Sequence, residues 1–337
     1  MVALDFLERV DSWRDTTLHT VNYHLREDWL SSRLDMPCAI VDFLFHPAAS
    51  FWADHHSTSF LTDSARSEFH SHPNPRRFYD ESADSCAGLI QEHLEKDFGY
   101  RNPGYDELVR WADKTDAARY ETVEEAIFPT SPALIINLTL AQGRNEDLSR
   151  RLVRGLRTST LVEVAAWREI RTKYAQILAL LHSGLDRFKQ SASIVSGIVK
   201  FDVNGEGTII SRYAPYYFFP RALYSAGVVR SSAGSKITVM RNPWLNFQSP
   251  HLGKICEKYG GGGHQRIGGI LLPKERAQEA SSLLNNVVAD IVAQGSSKST
   301  QLLEDRVASF SDGESGEDLK TATSAAVGVK NSGGSRR

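Results

Sequence analysis

Three cysteines in 337 residues, Cys38, Cys86 and Cys256, stand far apart and form no CxxC pair. That excludes a disulfide framework and a zinc knuckle, and points to reduced thiols and a cytoplasmic protein. An excess of charge of one sign is also lacking: 39 Lys and Arg face 41 Asp and Glu, for a net charge of -2. Without a general polyanion-binding surface a long nucleic-acid duplex is excluded as ligand, and any nucleic-acid contact is local. No apolar run approaches the roughly 18 residues of a membrane span, and no basic, apolar, small-residue leader opens the sequence. The length suits two domains of ordinary size, each with its own core.

Val2, Ala3, Phe6, Leu7, Val10 and Trp13 recur at three-to-four spacing, so the sequence begins in an amphipathic helix. LHTVNYHL, CAIVDFLF and AASFWAD then read as strands of an open α/β sheet, and SCAGLIQEHLEKDFG and DELVRWADKTDAARY as helices. Residues 145 to 190 keep a helical period and form a connector. From about Ile194 the segments IVSGIVKFDV, GTIISRYA, VVRSS and KITVMRNP read as strands. SPHLGKICEKYG is expected as a helix with Ser249 as N-cap, Pro250 first and Gly260 as its stop. ILLP and a helix over KERAQEASSLLNNVVADIV complete a smaller second α/β domain, and from about Gly295 the composition cannot support a core and reads as a disordered tail. The expected domains are 1–145, a connector 146–193, 194–295 and a tail 296–337.

Two inferred strands end in acids, Asp42 after CAIV and Asp54 after SFWA, with His55 and His56 following. Ligands of open α/β sheets collect at such carboxyl ends, and carboxylate beside imidazole suits a divalent ion such as Mn. An isolated DHH is more often a turn cap with surface histidines. The second signal is YGGGGHQRIGG, where Gly261, Gly262 and Gly263 let backbone N–H groups approach an anion and His264 stands at the edge. The competing reading is a glycine hinge. Arg241, at the end of the ITVM strand and followed by Asn242, offers a guanidinium suited to phosphate.

ADHH followed at this separation by GGGGH resembles the DHH phosphoesterase family with its DHH-associated C-terminal domain, over about residues 15 to 290. The resemblance implies an N-terminal parallel-sheet domain and a smaller substrate-binding α/β domain. It implies two divalent ions, Mn with Mg as alternative, held by Asp42, His55 and Asp113 or Asp116, of which Asp113 is favoured. His56 and Asp54 are the implied catalytic pair, and Arg241, Asn242, the glycine run and His264 the substrate-binding set. The ligand it implies is a small nucleotide or short single-stranded oligonucleotide, as for an oligoribonuclease, with no membrane; a homodimer stays open.

Two departures qualify the resemblance. Ile267 and Gly268 stand where the family has small alanines, and the family's first motif, with two aspartates after the first strand, is absent. The sequence is thus expected to begin just downstream of that motif, with Asp11, Asp15 and His19 as poor substitutes and hydrolysis impaired. A catalytically inactive nucleotide-binding or regulatory relative, and a polyphosphatase or pyrophosphatase, are the alternatives.

Overall fold

The computed structural model describes residues 1–21, 25–142 and 145–294; the expected tail lies outside them. In chain order the first half runs α1 Val2–Arg9, β1 Ala39–Val41, β2 Phe51–Asp54, α2 Asp63–Ser71, β3 Arg77–Tyr79, α3 Cys86–Phe98 and α4 Asp106–Asp116. Then come α5 Val123–Ile127, α6 Pro132–Gln142, α7 Glu146–Gly155, α8 Leu161–Ala165 and the long α9 Arg168–Ser191. The second half runs β4 Ser193–Val195, β5 Ile198–Asn204, α10 Ala214–Phe218, β6 Tyr224–Ser231, β7 Gly234–Arg241, α11 Leu252–Glu257, β8 Gly262–His264 and β9 Ile267–Pro273. A last helix, α12, covers 280–294. The fold is therefore α/β in two parts, as expected.

The first sheet is parallel, in order β1-β2-β3. All four residues of β2 are buried, because side chains alternate into two cores. Phe51 and Ala53 pack with Phe6, Leu7, Leu89 and Leu94 from α1 and α3, whereas Trp52 packs with Trp29 and Phe45 on the other side. The second sheet, β4-β5-β6-β7-β9-β8, is mixed, with β5 and β6 its parallel pair. Ile237 and Val239 face α11 and α12, while Met240, Phe201 and Val199 face Phe188 of α9 and Ile127 of α5. No helix of the described residues is long and apolar enough to cross a membrane.

Two expected strands are absent. Over 18–21 and at Leu25 the chain forms no strand, residues 22–24 lying outside the described ones; Val21 and Leu25 are exposed, so the apolar alternation finds no core. GTIISRYA is likewise no strand: Thr208 Oγ1 and Ile209 N donate to Leu180 O, at 2.7 and 3.2 Å, which docks the segment on α9 instead of the sheet. The α11 helix starts later than expected, with His251 rather than Ser249 as its N-cap: His251 Nδ1 accepts from Lys254 N at 3.1 Å. Gly260, φ 79°, does end that turn in the left-handed region. The α2 and β3 elements and the strand β8 within the glycine run add to the expected set.

Candidate metal centre and phosphate-facing cleft

Because β1 and β2 are adjacent and parallel, their carboxyl ends put Asp42 and Asp54 on one edge. Asp42 has φ 57°, a left-handed conformation that costs a residue with a side chain on the order of 1–2 kcal/mol. Its N–H donates to Ala53 O at 2.9 Å, which continues the ladder, and the turned backbone swings the carboxylate toward both histidines. Asp42 Oδ1 lies 3.7 Å from His55 Nε2 and 3.8 Å from His56 Nδ1. Each of the three residues offers a ligand atom, and these atoms lie within 4.8 Å of one another. His55 Nδ1 is 3.0 Å from Ala83 O, which fixes the proton there and leaves the Nε2 lone pair toward Asp42.

Asp54 is placed differently. Its carboxylate is 1% exposed and takes His56 Nδ1 at 2.7 Å, Ser59 Oγ at 2.6 Å and His55 N at 2.8 Å. It orients the histidines and faces no open space. His56 is left with Nε2 for a ligand.

Of the two acids on α4, Asp113 Oδ1 accepts from Ser85 Oγ at 2.6 Å, and Ser85 also caps α3 by accepting from Gly88 N. A Cβ on Gly88 would stand 2.6 Å from Asp113 Oδ1, so the glycine makes room for this contact. Asp116 instead lies in the field of the cluster. Burial, and next the charge of Asp42, push its carboxyl up to about 6, with His55 and His56 opposing. Asp11 pairs with Arg76 and His19 lies 3.9 Å from Glu146, so neither belongs to the cluster.

Across the cleft, the His264 ring sits 5.0 Å from that of His56. Burial, then the neighbouring His56, His55 and His251, push the His264 imidazole down to about 4, so it is neutral at neutral pH. Arg241 is buried; its Nη2 donates to Phe247 O at 2.7 Å and its guanidinium stacks 4.3 Å from the Phe247 ring, leaving further N–H groups. Asn242 has none left: Nδ2 donates to Pro220 O and Ala222 O, and Oδ1 accepts from Trp244 N. The glycines divide in role. A Cβ on Gly261 would meet Gly269 O at 2.2 Å and one on Gly263, φ 144°, would meet Ile267 O at 2.3 Å, whereas one on Gly262 would meet nothing within 4 Å. Gly268 admits α11, since a Cβ there would meet Cys256 Sγ at 2.5 Å.

Sequence reasoning missed Ser85, Ser59 and the Ala83 carbonyl, which hold Asp113, Asp54 and His55. Only Ser85 carried a signal, as the cap residue before CAGL.

No sequence profile of a known family and no curated protein matches the chain. Among solved structures, the pGpG-specific phosphodiesterase PggH of Vibrio cholerae superposes with TM-score 0.61 at 16% identity, over 86% of this chain and 95% of that one. This chain shares the two-domain fold of that phosphodiesterase. RecJ of Thermus thermophilus, in complex with Mn2+, matches at TM-score 0.45 and 14% identity, over 72% of this chain and 42% of that one. In this fold the first sheet supplies the acid and histidine cluster and the second sheet supplies His264 and the glycine strand.

Proposed function

We propose that this chain is a divalent-metal-dependent phosphoesterase acting on small nucleotides or short oligonucleotides. The observation that carries the reading is the 5.0 Å approach of His56 and His264, which sets the acid and histidine cluster against an open glycine backbone in one cleft. In this reading residues 1–145 hold the metal, 146–193 connect, and 194–295 grip the phosphate.

The donor set fits a divalent ion: one free imidazole nitrogen of His55, fixed by a backbone carbonyl behind it, beside the Asp42 carboxylate. We assign Asp116, which lies in the field of Asp42 and both histidines, as the third ligand in place of Asp113, whose Oδ1 accepts from Ser85 Oγ. Mixed nitrogen and oxygen donors favour Mn over Mg, which prefers oxygen. When bound, such an ion supplies an activated water and charge stabilisation at the phosphoryl oxygens. The protein's own part is positional. Asp54 and Ser59 hold His56 with Nε2 toward the phosphate, His264 offers an N–H from a neutral ring, and the remaining Arg241 donors and the Gly262 backbone hold the anion.

The linear dinucleotide named for PggH makes pGpG the first substrate to try. Calorimetric Mn titration and release of mononucleotide from pGpG test the reading together. His55→Ala and Asp116→Asn are expected to lose Mn affinity by at least about tenfold, the loss of one ligand, with circular dichroism unchanged. Asp113→Asn is expected to keep it and to lower the melting temperature. Mn binding with no hydrolysis of any dinucleotide would favour the inactive nucleotide-binding reading. Mn affinity unaffected by His55→Ala would end the metal assignment.

A further inference from the structure

One row across the C-terminal sheet is nearly bare. Pairing register sets Gly227, Thr238, Gly269 and Gly262 side by side on β6, β7, β9 and β8. Residues two apart on a strand share a face, so this row lies on the face of Met240, Ile267 and His264, the side that meets His56. Backbone therefore floors a trough beside His264. A Cβ on Gly262 would meet nothing within 4 Å, and one on Gly269 only Ile237 O at 3.3 Å and Lys236 Cε at 3.9 Å. The Phe201 ring closes the other end, 2.5 Å from where a Cβ on Gly227 would stand.

On the side of the trough away from His264, the next row brings Lys236, whose Cε leans over Gly269. The four steps along β7 from Met240 to Lys236 span about 13 Å, room for one nucleoside. Arg212 lies close enough for its charge to act on Lys236, Tyr120 and Tyr213. The Tyr120 and Tyr213 rings pack 5.5 Å apart, and Tyr120 follows α4 and Asp116, so this rim reaches both halves of the cleft. Both cations are exposed residues, and neither side chain has a hydrogen bond or ion pair among the described residues. Elsewhere on the same half Arg230 has Asp202 and Arg276 has Glu279. The cleft walls, and next the charge of Arg212, lower the Lys236 ammonium pKa. Two unneutralised cations beside an open floor are a standing repulsion that a bound anion relieves.

We propose that Lys236 and Arg212 form a second anion subsite, separated from the His264 grip by the glycine-floored trough, which takes a terminal phosphate of the ligand. The inference rests on the nucleotide reading and narrows it: the preferred ligand is a 5′-phosphorylated dinucleotide, with one nucleoside lying between its two phosphates.

The test is calorimetric binding of a dinucleotide with a phosphorothioate linkage, with and without a 5′-phosphate, to the full chain in the presence of Mn. The parent is expected to bind the phosphorylated form about tenfold more tightly, as one charge-assisted contact supports. Lys236→Met keeps the stem and removes the charge. It and Arg212→Met are expected to cut the preference to about twofold or less while leaving affinity for the unphosphorylated form unchanged. Equal affinity of the parent for both forms, or a preference that survives both substitutions, would overturn the subsite and leave the nucleotide reading standing. No binding of either form by the parent would overturn both.

Discussion

Asp5 is 2% exposed on α1 and accepts from Tyr100 Oη at 2.5 Å, Asn102 Nδ2 at 2.8 Å and Arg9 Nε at 2.9 Å. Burial alone would raise its carboxyl, but these hydrogen bonds outweigh it and hold the pKa below the ordinary carboxylate range. A depressed native pKa means that the unfolded chain binds more protons, so the stabilisation is complete above the unfolded value of about 4 and fades as pH falls through the native one. Asp5→Asn should therefore cost on the order of 1–3 kcal/mol at pH 7 in urea unfolding, and the gap to the parent should close below about pH 4. A gap independent of pH would show that Asp5 acts by shape alone. The same scale marks what the sequence could tell about the centre. His55, His56 and His264 were legible because two short motifs in one order are specific. Asp113 and Asp116 were not separable, since residues three apart lie on neighbouring sides of a helix and only Ser85, contributed by another element, distinguishes them.

The glycine run shows how an element assigns different tasks to identical residues. Read from sequence, four glycines are a loop; in the fold Gly262 to His264 form β8, paired to β9 in register Gly262↔Gly269 and His264↔Ile267. Gly261 and Gly263 permit that pairing, while Gly262 permits the open floor. Gly262→Val should thus fold and melt close to the parent yet lose nucleotide affinity, whereas Gly261→Val should lower the melting temperature markedly. Thermal melts with nucleotide titrations check both, and a Gly262→Val protein that binds like the parent would show that the floor carries no ligand. Strand expectations succeeded where two faces are covered, as for β2, and failed over 18–21, at Leu25 and over 207–214, where β-branched and apolar residues meet solvent or a helix instead of a partner strand. Local pattern reports what a segment could pair with; which partner is present is settled by the rest of the chain.

At the scale of the molecule, the two sheets and the long helix between them followed from texture: apolar strand ends first, helical period next, glycine-separated β runs last. How the halves meet did not. Trp244 Nε1 donates to Tyr120 O at 3.0 Å, and its ring packs against Tyr213 at 5.8 Å, joining the residues after Arg241 to those after α4. Neither tryptophan nor carbonyl carries a local pattern that announces such a contact. The His56 and His264 rings, tilted 44° at 5.0 Å, are in van der Waals contact across the same meeting line, and a phosphate cannot stand between them there. Entry of a ligand to that position requires the rings or the halves to part first, which turns a distance into a clock. Observed association rates in stopped-flow mixing should then level off with rising dinucleotide concentration, at a ceiling set by opening rather than by collision. A rate that rises linearly to the highest concentrations would mean that the rings yield faster than ligand arrives. Release of the ligand would cross the same barrier, so Trp244 substitutions that loosen the contact should raise that ceiling.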